Sequence, residues 1–270
     1  MENKDVLIIG ICGGMGKATA DLLIKDGYRV WGIDYNPSCE VKGAMYFQAD
    51  ITNTNQLEQV FAQISSQISG FYAIIHLAGI YIMDSLVEMT EQRFTRIFDI
   101  NVFGIYRINK IFLPLLSKGS RILITSSEVA PLDPLPFNGI YSITKSTIEK
   151  YAYSLRMELN LLGIKVSVLR PGAVKTKLLN NSTSELDKFC TTTEIYKNTS
   201  KEFKKIVESI ESKSVAPEKV ALKIRKFLLA KKPKYVYKIN SNKLLLLFNA
   251  LPDRLQVWLI KKLLLKNKTN

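Results

Sequence analysis

Tyr141 and Lys145 stand four apart in a stretch of helical periodicity, so their side chains leave one face of a helix. A phenol ordinarily keeps its proton to about pH 10. An ammonium one turn away favours the phenolate, as does a positively charged ring bound alongside. A tyrosine so placed serves as a general acid or base near neutral pH. Alone, Tyr-x-x-x-Lys marks an exposed helix face as readily as a reacting centre, so its meaning depends on what surrounds it.

A second candidate lies near the N-terminus, where an apolar run meets Gly10-Ile11-Cys12-Gly13-Gly14-Met15-Gly16. Glycines 10, 14 and 16 give the spacing GxxxGxG. One is needed for a tight turn after a strand and another for close backbone approach to a pyrophosphate, while the following helix start offers free N–H groups and a positive dipole end. Asp34 ends the next strand, 24 residues after Gly10. A carboxylate there accepts hydrogen bonds from an adenosine ribose and repels a 2′-phosphate, which favours NAD over NADP. It also reads as a turn aspartate in Asp34-Tyr35-Asn36-Pro37. Asp50 is expected either near the adenine amino group or as an N-cap of the next helix.

These residues need a frame. Short apolar runs at Val6–Ile9, Tyr28–Ile33, Met45–Gln48, Tyr72–His76, Arg121–Thr125, Lys165–Leu169 and Tyr235–Ile239 read as strands. Helical periodicity at Lys17–Lys25, Thr54–Ile68, Glu91–Leu116, Gly139–Leu161 and Pro217–Leu229 alternates with them. Alternation of this kind predicts a parallel sheet with helices on both faces, and strands buried on both sides. Glu91–Leu116 is expected as one helix. Residues 177–214, polar and rich in Ser, Thr, Lys and Glu, are expected as a substrate lid or a surface excursion.

Several ordered segments now carry a resemblance. Gly10-x-x-x-Gly14-x-Gly16, His76-Leu77-Ala78-Gly79, Asp99-Ile100-Asn101-Val102-Phe103-Gly104, Thr125-Ser126-Ser127, Tyr141-Ser142-Ile143-Thr144-Lys145 and Arg170-Pro171-Gly172-Ala173-Val174-Lys175-Thr176 resemble the motifs of the short-chain dehydrogenase/reductase family, short single-domain branch. The resemblance implies a Rossmann-type doubly wound parallel sheet in three αβα layers over residues 1–240. It implies Ser127, Tyr141, Lys145 and Asn101 as catalytic residues, with Asn101 linking Lys145 to solvent through a water. Gly10, Gly14, Met15, Gly16, Asp34, Asp50, Ile51, Ala78, Gly79, Asn101, Tyr141, Lys145, Pro171, Gly172, Val174 and Thr176 are the implied cofactor contacts. This sequence departs from the pattern in three places. Ile9 replaces a threonine, and His76-Leu77 replaces two asparagines. Ser127 precedes Tyr141 by 14 residues rather than 13, which leaves Ser126 as the other serine candidate. His76, the sole histidine, is expected to be structural.

Cys12, Cys39 and Cys190 show no disulfide or metal spacing, so a reducing compartment and no metal are expected. The start, Met1 to Asp5, shows no signal peptide, and a cytoplasmic protein, free or membrane-associated, is expected. The formal charge of +14 is uneven: residues 201–270 carry 18 Lys+Arg against 5 Asp+Glu, the first 200 residues 20 against 19. No nucleic-acid motif accompanies the basic end. Residues 241–270 read as a basic amphipathic helical extension, with apolar runs too short to span a bilayer. They are expected either to lie on an anionic membrane or to pack on the body or an oligomer partner. The expected function is NAD-dependent interconversion of a secondary alcohol and a ketone on a hydrophobic, steroid-, retinoid- or lipid-like substrate, in a homodimer or homotetramer. The alternatives are an NADPH-type carbonyl or oxoacyl reductase, and a non-catalytic NAD-binding regulator or membrane-surface scaffold.

Overall fold

Every residue of β1 (Asp5–Ile9) is buried, and its side chains divide between two cores. In the computed structural model, which describes residues 4–211 and 214–265, Val6 and Ile8 join one cluster while Leu7 and Ile9 join another. This is the period-two geometry of a strand covered on both faces. β2 (Arg29–Asp34), β3 (Met45–Gln48), β4 (Ala73–His76), β5 (Arg121–Thr125), β6 (Lys165–Pro171) and β7 (Val236–Ile239) complete the sheet seen among the described residues. The order is β3-β2-β1-β4-β5-β6-β7, parallel throughout. It reverses between β1 and β4, and the chains leaving those two strands diverge to leave a crevice at their carboxyl ends.

Helices cover both faces. α1 (Gly14–Lys25) packs on α8 (Pro217–Leu229), and Leu23, Val220, Ile224 and Phe227 bury against Val6 and Ile8. On the opposite face, α2 (Thr54–Ser65) contributes Leu57, Val60 and Ile64 to the cluster that holds Leu7 and Ile9.

The expected single helix over 91–116 is interrupted. α3 (Glu91–Phe98) passes into a π-helical turn, Asp99–Phe103, before α4 (Gly104–Phe112) and a 3₁₀ turn at Leu113–Leu115. The wider turn accommodates one extra residue and points fully buried Asn101 inward, where its amide has partners. Pro114 lacks the N–H that would continue the helical ladder. α5 (Gly139–Asn160) then lays Ile148, Ala152 and Leu159 against β5 and β6.

Residues 177–214 are more ordered than their polar composition suggests. The chain leaves and returns through a parallel bridge between Val174 and Val215, and between them form α6 (Lys177–Thr192) and α7 (Lys197–Glu211). Their buried side is narrow: Leu186, Phe189 and Phe203, with Tyr196 packed beside them. Glu88 accepts hydrogen bonds from the Thr193 hydroxyl (2.7 Å) and the backbone N–H groups of Glu194 and Ile195. Arg93 bridges Asp84 (2.9 Å) and Glu185 (2.5 Å). These contacts tie the excursion to the body.

The C-terminal extension forms α9 (Lys243–Asn249) and α10 (Asp253–Leu264). Asp133 accepts from Asn249 Nδ2 (2.7 Å) and Gln256 Nε2 (3.1 Å), and Leu264 is buried with the aromatic residues of α6 and α7. Residues 266–270 of the expected extension lie outside the described residues.

Candidate active site

The turn after β1 is built by close approach. Gly10 has φ of +85°, and a Cβ there would fall 2.6 Å from the backbone nitrogen of Ala78. At Gly16 a Cβ would meet the carbonyl oxygen of Gly10 at 2.1 Å. Only glycine allows the turn to fold back on itself and on the segment leaving β4. Gly14 begins α1 with Thr176 Cγ2 2.9 Å from where its Cβ would be, so Gly10, Gly14, Ala78 and Thr176 converge from three segments. α1 carries no side-chain N-cap, leaving its first-turn N–H groups for an anion. Met15 lies in that first turn, half-buried.

Asp34 closes the same region from β2. Its carboxylate is buried and accepts from the Cys12 N–H (3.0 Å) and from the backbone and side chain of Asn36. Burial, the nearby Cys39 thiol and the Asp34 charge push the Cys12 thiol up to about 12, so it carries no reactive thiolate. Asp50 is exposed, and its Oδ1 accepts from the backbone and hydroxyl of Thr52. The N-cap of α2 is Asn53, not Asp50: Asn53 accepts from the Gln56 N–H. Ile51 packs against the site of Gly104, just past the π turn. The glycine cradle, the uncapped helix start and the carboxylate at the end of β2 fit a dinucleotide.

The reacting groups meet at the ends of β5 and α5. Ser127 lies beside Tyr141, and its hydroxyl lowers the phenol's proton affinity. Burial outweighs that effect, and with a smaller contribution from the Glu128 charge it pushes Tyr141 up to about 12. Lys145 is buried, which holds its ammonium down to about 8. Its Nζ donates to the Thr125 carbonyl (3.3 Å) and sits 5.5 Å from the centre of the Tyr141 ring. The expected lowering of the phenol by Lys145 is not what governs the chain by itself, because desolvation dominates.

Ser126 faces the other way. Its hydroxyl donates to Glu149 (2.8 Å), whose carboxylate also pairs with Arg170 (Nε, 2.6 Å). This buried group ties α5 to β6 underneath the site. Asn101 spends its amide on Ile80, accepting from its N–H and donating to its carbonyl, each at 2.9 Å. A Cβ at Gly79 would lie 3.2 Å from Asn101 Oδ1 and 3.7 Å from Lys145 Nζ. The Asn101 side chain therefore clamps the segment that carries Gly79 next to Lys145.

The 171–176 segment divides its tasks. Pro171 ends β6 and accepts from the Glu128 N–H. Gly172 is required by packing, since a Cβ would collide with the Asn240 carbonyl at 2.2 Å and lie 2.7 Å from Glu128 Oε1. Glu128 Oε2 accepts from the Asn242 N–H (2.6 Å) and thereby fixes the start of α9. Val174 is buried in the bridge to Val215. His76 is buried with Nε2 2.9 Å from Asn109 Oδ1, and Asn109 donates to the Tyr151 hydroxyl (3.1 Å). Burial drives the imidazole down to about 4. The chain His76–Asn109–Tyr151 supplies polar support to the central sheet where the asparagines of the motif are missing.

Above Tyr141 the walls are apolar. The rings of Tyr81 and Tyr141 are 4.6 Å apart, and Tyr81 also packs into a cluster of Met83, Phe137, Leu186, Phe189, Phe203 and Leu264. Phe137 has φ of +61°, a costly backbone state for a bulky residue. Its ring sits 4.6 to 5.2 Å from those of Phe189, Tyr196 and Phe203, so packing holds it there. Sequence reasoning did not pick out Phe189, Tyr196 and Phe203, although they recur every seven residues, a helical stripe in a polar segment.

Comparison with known proteins agrees with this geometry. The family model for short chain dehydrogenases matches residues 4–187. A 3-ketodihydrosphingosine reductase of Bacteroides thetaiotaomicron is 28% identical over 241 residues, 89% of each chain. Estradiol 17-beta-dehydrogenase 2 of Rattus norvegicus is 29% identical over 68% of this chain, which spans 51% of that protein's length. A short-chain dehydrogenase structure from Streptomyces avermitilis matches with a TM-score of 0.75, 21% identity and coverage of 100% and 99%. A 3-ketoacyl-(acyl-carrier-protein) reductase from Brucella melitensis complexed with NADH has a TM-score of 0.70, 21% identity and coverage of 88% and 97%.

Proposed function

This chain belongs to the short-chain dehydrogenase family and is an NAD(P)-dependent oxidoreductase; from that premise we propose that it interconverts the ketone and secondary alcohol of a hydrophobic, long-chain lipid-like substrate, using NAD. The observation that carries this is the Ser127–Tyr141 hydroxyl pair, one helical turn from buried Lys145, beside an apolar cluster that begins at Tyr81. The 28% identity with a 3-ketodihydrosphingosine reductase over most of both chains supports the substrate class.

When bound, the nicotinamide gives or takes the hydride. Ser127 donates a hydrogen bond to the substrate oxygen and orients it. Tyr141 gives its phenolic proton to the oxygen in reduction, or takes it in oxidation. Lys145 stabilises the phenolate left behind. Asn101 acts as a positioning residue that keeps Gly79 beside Lys145. Asp34 repels a 2′-phosphate, which supports NAD over NADP. α6 and α7 form the substrate lid, and three cysteines with no disulfide among the described residues fit the reducing cytoplasm. Exposed Phe103, Tyr106, Tyr153 and Met157 on the α4 and α5 side support self-association through those helices.

The test is a panel of 3-ketodihydrosphingosine, hydroxysteroids, retinoids and short aliphatic ketones with each nicotinamide cofactor, followed by absorbance of the reduced ring. Turnover fastest on long-chain ketones with NADH is expected. Cofactor binding without turnover on any member would sink the proposal.

A further inference from the structure

The C-terminal helices present a surface that the fold does not use. α9 has no buried residue. Leu244 and Leu247 are each 68% exposed, Val257 69% and Trp258 52%, and Leu255 and Leu263 are exposed as well. The inward side of α10 is accounted for by Gln256, held by Asp133, and by Leu264 in the aromatic cluster, so the outward residues are not core. Among them stand Lys243, Arg254, Lys261 and Lys262 against one acid, Asp253. The Lys262 ammonium lies 5.0 Å from the centre of the Trp258 ring, an aromatic paired with a cation that suits a membrane–water boundary.

We propose that α9 and α10 dock this protein on an anionic lipid bilayer. Leu244, Leu247, Val257 and Trp258 enter the boundary between headgroups and acyl chains, and the lysines meet the headgroup charge. No helix among the described residues is long and apolar enough to cross a membrane, so α9 and α10 dock by lying on the bilayer surface. Charge decides against a second copy of the chain as the occupant. A symmetric contact would set Lys243, Arg254, Lys261 and Lys262 of two copies together with one aspartate each to offset them, and like charges across an interface are costly. The excess of 18 Lys+Arg over 5 Asp+Glu after residue 200 also places the attraction at this end. α10 lends Ile260 and Leu264 to the cluster around Phe137, so docking would hold that apolar cluster beside the lipid phase. That consequence rests on the proposed substrate class; the docking does not.

The test is flotation of the full chain with phosphatidylcholine vesicles, with and without phosphatidylglycerol. Trp258 emission serves as a second readout, because Trp31, the only other tryptophan, is buried. The chain is expected to float with anionic vesicles about tenfold more than with neutral ones, to be released by salt of about 0.5 M, and to shift its Trp258 emission to the blue. Leu247→Glu with Trp258→Glu, and separately Lys261→Glu with Lys262→Glu, should abolish flotation while melting at the wild-type temperature. Wild-type chain that stays down with anionic vesicles, or variants that float as well as wild type, would overturn the proposal. So would a Leu247→Glu/Trp258→Glu variant that dissociates an oligomer in lipid-free buffer, which would assign the face to a second copy.

Discussion

Ser126 and Ser127 are adjacent just past the end of β5, yet their hydroxyls serve opposite sides of it: Ser126 donates to Glu149 at 2.8 Å, while Ser127 lies beside the Tyr141 phenol. The period-two geometry of a strand carried two residues past its end produces this division. Ser127→Ala should lower kcat/KM by about 10²–10³-fold, the size of one lost donor to the reacting oxygen, with little change in melting temperature. Ser126→Ala should cost about 1 kcal/mol of stability and leave kcat/KM within a few-fold. Steady-state kinetics and urea unfolding on the two variants would separate the roles, and a reversal of the pattern would move the assignment to Ser126.

Lys145 sets a pH limit. Burial holds its ammonium down to about 8, while Tyr141 keeps its proton to about 12. Ketone reduction needs both groups protonated, so kcat/KM for reduction should be level below pH 8 and fall about tenfold per unit above it. Alcohol oxidation should rise with pH, since the phenol must first lose its proton. Lys145→Arg keeps the cation at high pH and should move the reductive limb upward at a reduced rate. A limb that stays at pH 8 in that variant would remove Lys145 as the titrating group.

Asp34 is expected to decide between cofactors. Its carboxylate ends β2 beside the glycine turn and already accepts from Cys12 and Asn36, so its position is fixed before anything binds. Asp34→Ser should cut the preference for NADH over NADPH by about tenfold or more, equivalent to about 1.4 kcal/mol. Fluorescence titration of both reduced cofactors measures it directly. An unchanged ratio would mean that another group reads the ribose.

The strands were legible because parallel strands covered on both faces need unbroken apolar runs, as in Val6–Ile9 and Ala73–His76. The glycine turn was legible because no other residue tolerates the approach of Ala78 at Gly10. The π turn at Asp99–Phe103 was not, since one extra residue barely shifts a helical stripe and the reason for it is a distant partner, Ile80. The α6 and α7 helices were hidden because a stripe of one aromatic in seven leaves composition polar. Spacing showed that Lys145 accompanies Tyr141, but it carries no information on desolvation, which raises the phenol in the chain by itself. Gly172 is expected from the sequence as a cofactor contact, and only three-dimensional packing reveals that Glu128 and Asn240 also press against it.

His76 should make the fold sensitive to acid. Its folded value of about 4 lies below the ordinary 6.5, so between those values the unfolded chain binds more protons. Stability from this residue is complete above pH 6.5 and is lost as pH falls toward 4, at most about 3 kcal/mol. Carboxylates add their own acid effects, so the useful quantity is the difference between wild type and His76→Asn. Urea midpoints should converge as pH drops from 7 to 4.5, and a constant gap would show that the imidazole does not carry this linkage.

Phe203 offers the sharpest probe of the lid. It is buried in α7 and packs on Phe137, whose left-handed backbone is held by that contact. Phe203→Ala removes one wall of the cluster without touching Ser127, Tyr141 or Lys145. Truncating a buried phenylalanine costs about 3–5 kcal/mol in a rigid core, but here the loss falls on a segment joined to the sheet through the Val174–Val215 bridge, so it should appear as local opening. Hydrogen exchange should quicken in α6 and α7 before the strands are affected. KM for a long-chain ketone should rise about tenfold or more, an effect of about 1.4 kcal/mol on binding, while kcat/KM for a short water-soluble ketone stays near wild type. Equal losses on both substrates would mean that the aromatic cluster shapes the catalytic groups themselves and is not the wall of a lipid chamber.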